Sequence, residues 1–205
     1  YSFNGGSNWQ KGNSKTYSSE GTYTVTAQAK DKAGNKSATV SGGTVKIDKT
    51  APVVSTPTKS PNTEWSNTNV TVTNNATDAL SGIASSKGYY FDNGSSWQNE
   101  KTKTYSTEGT YTVTPKAKDK ATNIGAGTAI SVKIDKTVPT ISKIEKAPSS
   151  EWSKTDVKVT VTASDALSGI ATSSGYSFDN GTDWQTNNYK TYSAEGTYTV
   201  TSIVK

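Results

Sequence analysis

The chain contains no cysteine, no histidine and no methionine, and all 22 of its basic residues are lysine. Each absence removes a class of chemistry. Without cysteine there is no disulfide, no zinc–thiolate site and no thiol nucleophile. Without histidine there is no Ser-His-Asp triad and no imidazole metal ligand. Without arginine there is no planar guanidinium fork for phosphate or guanine. Apolar residues are also scarce, at 30% against a globular norm of about 45–50%. No apolar run approaches the roughly 20 residues of a membrane-spanning helix. No signal peptide is recognisable.

What fills the chain instead is threonine, serine and asparagine, 77 of 205 residues. These residues favour strands and turns over helix interiors. Net charge is +5, which raises the question of an anionic partner. The lysines are scattered without a run, as on a solvated strand surface, so no nucleic-acid partner is expected.

An internal repeat sets the organisation. Ile47-Asp48-Lys49-Thr50 returns 87 residues later as Ile134-Asp135-Lys136-Thr137. Asp78-Ala79-Leu80-Ser81-Gly82-Ile83 returns as Asp165 to Ile170, and Glu64-Trp65 as Glu151-Trp152. Three blocks occur three times: a Tyr-x-Phe run followed by Trp-Gln, with its tryptophan at 9, 97 and 184; Lys-Thr-Tyr; and Glu-Gly-Thr-Tyr-Thr-Val. The expected domains are therefore 1–49, the C-terminal part of a repeat; 50–136, a complete repeat; and 137–205, the N-terminal part of a repeat without its last strand. The chain starts at Tyr1 rather than Met. It reads as a window from a longer repetitive polypeptide.

Within a unit the apolar period is two. Tyr111, Val113, Pro115 and Ala117 alternate with threonine and lysine, as do Val70 and Val72, and later Val157, Val159 and Val161. This is the pattern of half-buried strands. Asn74 stands where the later copy has Val161, so the strand is expected to bend there or the amide to meet backbone. Asn4-Gly5, Asn93-Gly94 and Asn180-Gly181 are turn pairs that tolerate positive φ. Asp31 to Asn35 reads as a second loop, with Thr122 replacing Gly34 in the later copy and a different turn geometry expected there. Seven strands are predicted near 52–57, 68–76, 87–92, 96–99, 102–106, 109–118 and 128–135. Pro52 and Pro139 fall at strand starts. The fold class is all-β: tandem Greek-key sandwiches in an extended string of beads, each about 30–40 Å long.

Glu-Gly-Thr-Tyr-Thr-Val resembles the tyrosine-corner segment of immunoglobulin domains. The wider set is Asp-x-x-Ser-Gly-Ile, Tyr-x-Phe with its Trp, Gly-Thr-Tyr-Thr-Val, Asp-Lys-Ala-Gly-Asn and Ile-Asp-Lys-Thr-x-Pro. It resembles bacterial Ig-like repeats of secreted and cell-surface proteins. The resemblance implies an extracellular, non-catalytic stalk or spacer, supporting adhesion, with neighbouring repeats of the same chain as partners. A phage virion appendage and a carbohydrate-binding module are the alternatives.

Four candidate chemistries were weighed. Asp78, Asp92, Asp119 and Asp135 offer oxygens for Ca²⁺, against turn roles that need no ion; the expected cofactor is none, with calcium the exception. Lys103, Glu108 and an asparagine offer the groups of an isopeptide cross-link, against an exposed lysine and a turn glutamate. Tyr89, Tyr90 and Trp97 offer an aromatic platform for a surface glycan, against tryptophans that cover the core; Trp65 and Trp152 read as plugs at one sandwich end. Glu64 and Glu151 lack the opposed second carboxylate of a glycosidase, so no enzymatic activity is expected. A host protein is the other potential partner.

Overall fold

The computed structural model describes residues 1–91 and 96–205. No described residue is helical. Among the described residues, seventeen strands make up seven small sheets. The chain divides into two compact units: Tyr1–Thr58, Val72–Lys103 and Thr112–Ile130 form one, and Lys59–Thr71, Thr104–Tyr111 and Ser131–Lys205 the other.

In the first unit, β1 (Gly21–Ala27) pairs with β2 (Val40–Ile47). The register skips Gly42 opposite the Val25–Thr26 step. This bulge explains why the repeat spacing is 88 residues up to Asn123 but 87 at Ile134. One extra residue is absorbed by a local kink without moving the strand's inward face. β3 (Val53–Val54) pairs with β6 (Ala76–Thr77). β7 (Tyr89–Phe91) and β11 (Ile124–Ala126) flank β10 (Pro115–Lys118).

β4 (Thr58–Ser60), β5 (Val70–Thr73) and β8 (Thr102–Tyr105) form another sheet, and β9 (Gly109–Val113) joins β12 (Ile130–Ile134). The second unit contains β13 (Thr140–Ala147), β14 (Val157–Ser164) and β16 (Tyr189–Tyr192) in that order, with β15 (Tyr176–Ser177) paired to β17 (Ile203–Val204). Its core is Val159, Val161 and Phe178, with Ile141, Tyr176, Tyr192 and Val200 packed around them.

Several expectations hold. Val70, Val72, Val113, Pro115 and Ala117 are buried while the residues between them are not. Asn74 is buried, ends β5, and donates its side-chain amide to the Lys116 carbonyl at 2.9 Å. The tyrosine corner is present in all three copies. Tyr23, Tyr111 and Tyr198 each donate their hydroxyl to the carbonyl four residues upstream, at 2.9, 2.9 and 3.1 Å.

Others are corrected. The stretch 109–118 is two strands, because the chain leaves the β12 pairing after Val113 and joins β7 and β11 from Pro115. β4 and β11 were not anticipated, and 96–99 contributes only a bridge from Gln98 to Tyr89. In the first copy the positive-φ pair is Gly5-Gly6, not Asn4-Gly5; in the third it is Asn180-Gly181. Asn93-Gly94 lies outside the described residues. Thr122 keeps the geometry of Gly34, with φ of 73° against 96°. Asp119 and Asn123 hold it there through the same three hydrogen bonds that Asp31 and Asn35 make. A β-branched residue in that conformation costs roughly 1–2 kcal/mol.

Candidate functional site

The strongest constellation lies at the Ile-Asp-Lys-Thr segments, which leave β2 and β12. Asp48 sits just past β2. One carboxylate oxygen accepts from the Thr50 amide at 3.1 Å, which turns the chain. The other accepts from the Ser81 amide at 2.9 Å. Ser81 belongs to the Asp78–Ile83 loop, which is ordered from within. Asp78 accepts from the amides of Leu80 and Gly82, at 3.2 and 2.7 Å. Gly82 has φ of 74°, a conformation glycine adopts without a Cβ penalty.

The second junction repeats this chemistry. Asp135 accepts from Thr137 at 3.1 Å and from the Ser168 amide at 2.9 Å. Asp165 accepts from Leu167 and Gly169.

The following two linker residues reach the opposite way. The Lys49 amide and the Thr50 hydroxyl donate to the Glu20 carboxylate at 2.6 and 2.7 Å, and the Lys49 ammonium to the Ser18 carbonyl at 2.6 Å. The Lys136 amide and the Thr137 hydroxyl donate to Glu108 in the same way, and the Lys136 ammonium to the Ser106 carbonyl. Each linker is thus fastened to the Glu-Gly-Thr-Tyr block behind it and the Asp-x-x-Ser-Gly loop ahead of it. Hydrogen bonds to a charged acceptor are roughly twice as strong as neutral ones.

The electrostatics follow. The Ser81 side chain holds the pKa of Asp48 below the ordinary carboxylate value; burial opposes this, and the amides of Thr50 and Ser81 add to the lowering. Ser168 does the same for Asp135. Both linker carboxylates are therefore stabilised as anions.

Of the calcium candidates, Asp78 and Asp119 come together, but their third member is Asp48. Oxygens of the three lie within 4.8 Å of one another. Asp135 belongs to the other junction, and Asp92 lies outside the described residues. Three carboxylate oxygens could hold a calcium ion, which wants six to eight oxygen ligands. Asp119 is almost wholly buried, and both its oxygens accept from Asn123, at 2.8 Å each. Asn123 also donates to the Asp48 carbonyl at 3.1 Å. Sequence reasoning missed Asp48. Aligning Ile47–Thr50 with Ile134–Thr137 and asking which loop each linker meets would have found it.

Glu108 is occupied by Lys136 and Thr137. The Lys136 ammonium also donates to the Asn69 side chain, an exposed hydrogen bond of 2.8 Å.

The aromatic candidates separate. Tyr90 and Trp97 have ring centroids 5.5 Å apart. Tyr89 stands opposite the buried Ala117, and so on the other face of β7. Trp9, Trp97 and Trp184 are half-buried and lie outside the core, which is built on Phe91, Phe178 and valines. Trp65 is half-buried beneath the Lys133 ammonium, 5.4 Å from its ring centre, and Glu64 pairs with that lysine at 3.1 Å. Trp152, expected to plug the equivalent end, is 79% exposed.

Residues 1–42 match the PKD domain family. This is an Ig-like family found in bacterial surface and secreted proteins; its members are non-catalytic and typically extracellular. No curated protein matches the chain. The fold is accordingly Ig-like and all-β.

Proposed function

We propose that the chain is a structural stalk or spacer segment of a longer bacterial surface or secreted protein, with repeats bounded near residues 50 and 137, and that it supports adhesion by holding another part of that protein at a distance. The observation that carries this reading is the double fastening of the linker, built twice with the same donors and acceptors 87 residues apart. A catalytic module has no need of two identical joints. A spacer needs each repeat to hold its neighbour at a set angle. A three-residue connection running into Pro52 or Pro139 further limits hinge motion.

The test is small-angle scattering of the 205-residue chain. The expected result is a radius of gyration well above the roughly 17 Å of a globule this size. A value near that of the globule would overturn the spacer reading.

A further inference from the structure

We infer that the outer face of β7 and β10 is a binding site for an acidic glycan, a polymer carrying carboxylate on its sugar rings. Cross-strand partners share a face of a sheet. Phe91 with Pro115, and Tyr89 with Ala117, point to the buried side; Tyr90 with Lys116 points to the other. Lys118 follows Lys116 by two residues and joins it on that face. The Lys116 ammonium stands 5.3 Å from the Tyr90 ring centre, and the Lys118 ammonium 5.0 Å from that of Trp97. The two rings lie 5.5 Å apart.

This geometry changes what the aromatics can take. A bare ring pair would stack a neutral sugar. Here an ammonium stands over each ring, so the face presents positive charge on an apolar, half-buried bed. Among the described residues, neither Lys116 nor Lys118 is within ion-pair distance of a carboxylate. Two cations that no described carboxylate pairs with attract an anion, and adjoining ring edges can contact the sugar to which it is attached.

The motif recurs in lesser form. Lys30 stands 4.9 Å from Trp9, and Lys205 4.1 Å from Trp184. At those faces Ser2 or Ser177 stands where Tyr90 does, and Gln28 or Ile203 stands where Lys116 does. The Trp9 face also holds a second ammonium, Lys36 at 5.6 Å, but the middle face alone of the three adds the second aromatic ring, Tyr90, which assigns it the principal site. Weak sites repeated along one polymer-binding chain reinforce one another.

The experiment titrates the 205-residue chain with fluorescently labelled polygalacturonate oligomers. Displacing two counterions predicts an affinity that falls roughly sevenfold between ~50 and ~200 mM salt. Lys116→Gln combined with Lys118→Gln is expected to weaken binding about tenfold, and Tyr90→Ser about threefold. Lys143→Gln combined with Lys146→Gln removes the same net charge from exposed positions of β13 and is expected to leave binding unchanged. Absence of binding, equal binding of neutral dextran, tighter binding of a single-stranded DNA oligomer at the same salt, or an equal loss in the β13 double variant would each overturn the assignment.

Discussion

The junctions at Asp48 and Asp135 use the same linker, the same acceptor pairs and the same Ser-Gly loop, and at the first a further brace is described. At Asp48 a further loop arrives: Asp119 fixes Asn123, and Asn123 holds the Asp48 carbonyl. At Asp135 no described residue plays that part. The carboxylate bridge between Thr50 and Ser81, or between Thr137 and Ser168, is common to both. The buried Asp–Asn pair is described at the first; its counterparts one 87-residue period on would fall at 206 and 210, beyond Lys205.

The largest expected effect comes from removing that brace. Asp119→Ala leaves the amide and side chain of Asn123 without their buried acceptor, and should destabilise the fold by about 2–3 kcal/mol in urea unfolding. The Ser168 amide should keep its hydrogen-exchange protection. If Ser168 loosened as much as Ser81, the two joints would not be independent.

Next is the bridge itself. Asp48→Ala should speed exchange of the Ser81 amide about tenfold, and Asp135→Ala that of Ser168 by a similar factor. Each substitution should leave the other amide unchanged. A larger effect at Ser168 would show that the Asn123 brace compensates at the first junction.

Acid then tests what the joints share. Both linker aspartates have pKa values lowered in the fold. Their contribution is therefore complete above the unfolded value near 3.9 and is lost as pH falls through the lower folded value. Melting temperature should be flat from neutral pH to about pH 5 and fall below about pH 4. A loss that begins near pH 6 would exclude these carboxylates as its source.

The smallest effect is expected from calcium. Asp48, Asp78 and Asp119 already accept from amides, so chelation should leave the melting temperature unchanged. A drop on chelation that disappears in the Asp119→Ala variant would show that the third carboxylate makes the first junction a metal site.

Much of this was legible in the residues. Alternation placed Val113, Pro115 and Ala117 inward because a strand's period is local and survives any tertiary context. Asn74 betrayed the end of β5 because a buried amide must find a partner. Depth of burial was not legible, because it depends on the facing strand. Phe178 is 2% exposed under Val159 and Val161, whereas its counterpart Phe3 is half-buried. By the repeat spacing the counterparts of Val159 and Val161 for Phe3 would fall before Tyr1. Full burial of such a side chain is worth about 1.5–3 kcal/mol. The junction was half legible. The repeated Ile-Asp-Lys-Thr marked it, but that Asp48 would meet Asp119 across 71 positions is a property of folding, not of spacing. The tryptophans at 9, 97 and 184 are half-buried, each with a lysine ammonium over its ring.

The crossed hydrogen bonds of the linker also bear on how such a chain can change over generations. Asp48 bonds ahead while Lys49 and Thr50 bond behind, so inserting or deleting one residue among them would displace both sets together. Exchange of genetic material between Ile47–Thr50 and Ile134–Thr137, by contrast, rejoins identical tetrapeptides and leaves every bond of the joint in place. Copy number can drift by whole units of 87 residues, while the length of the joint is locked.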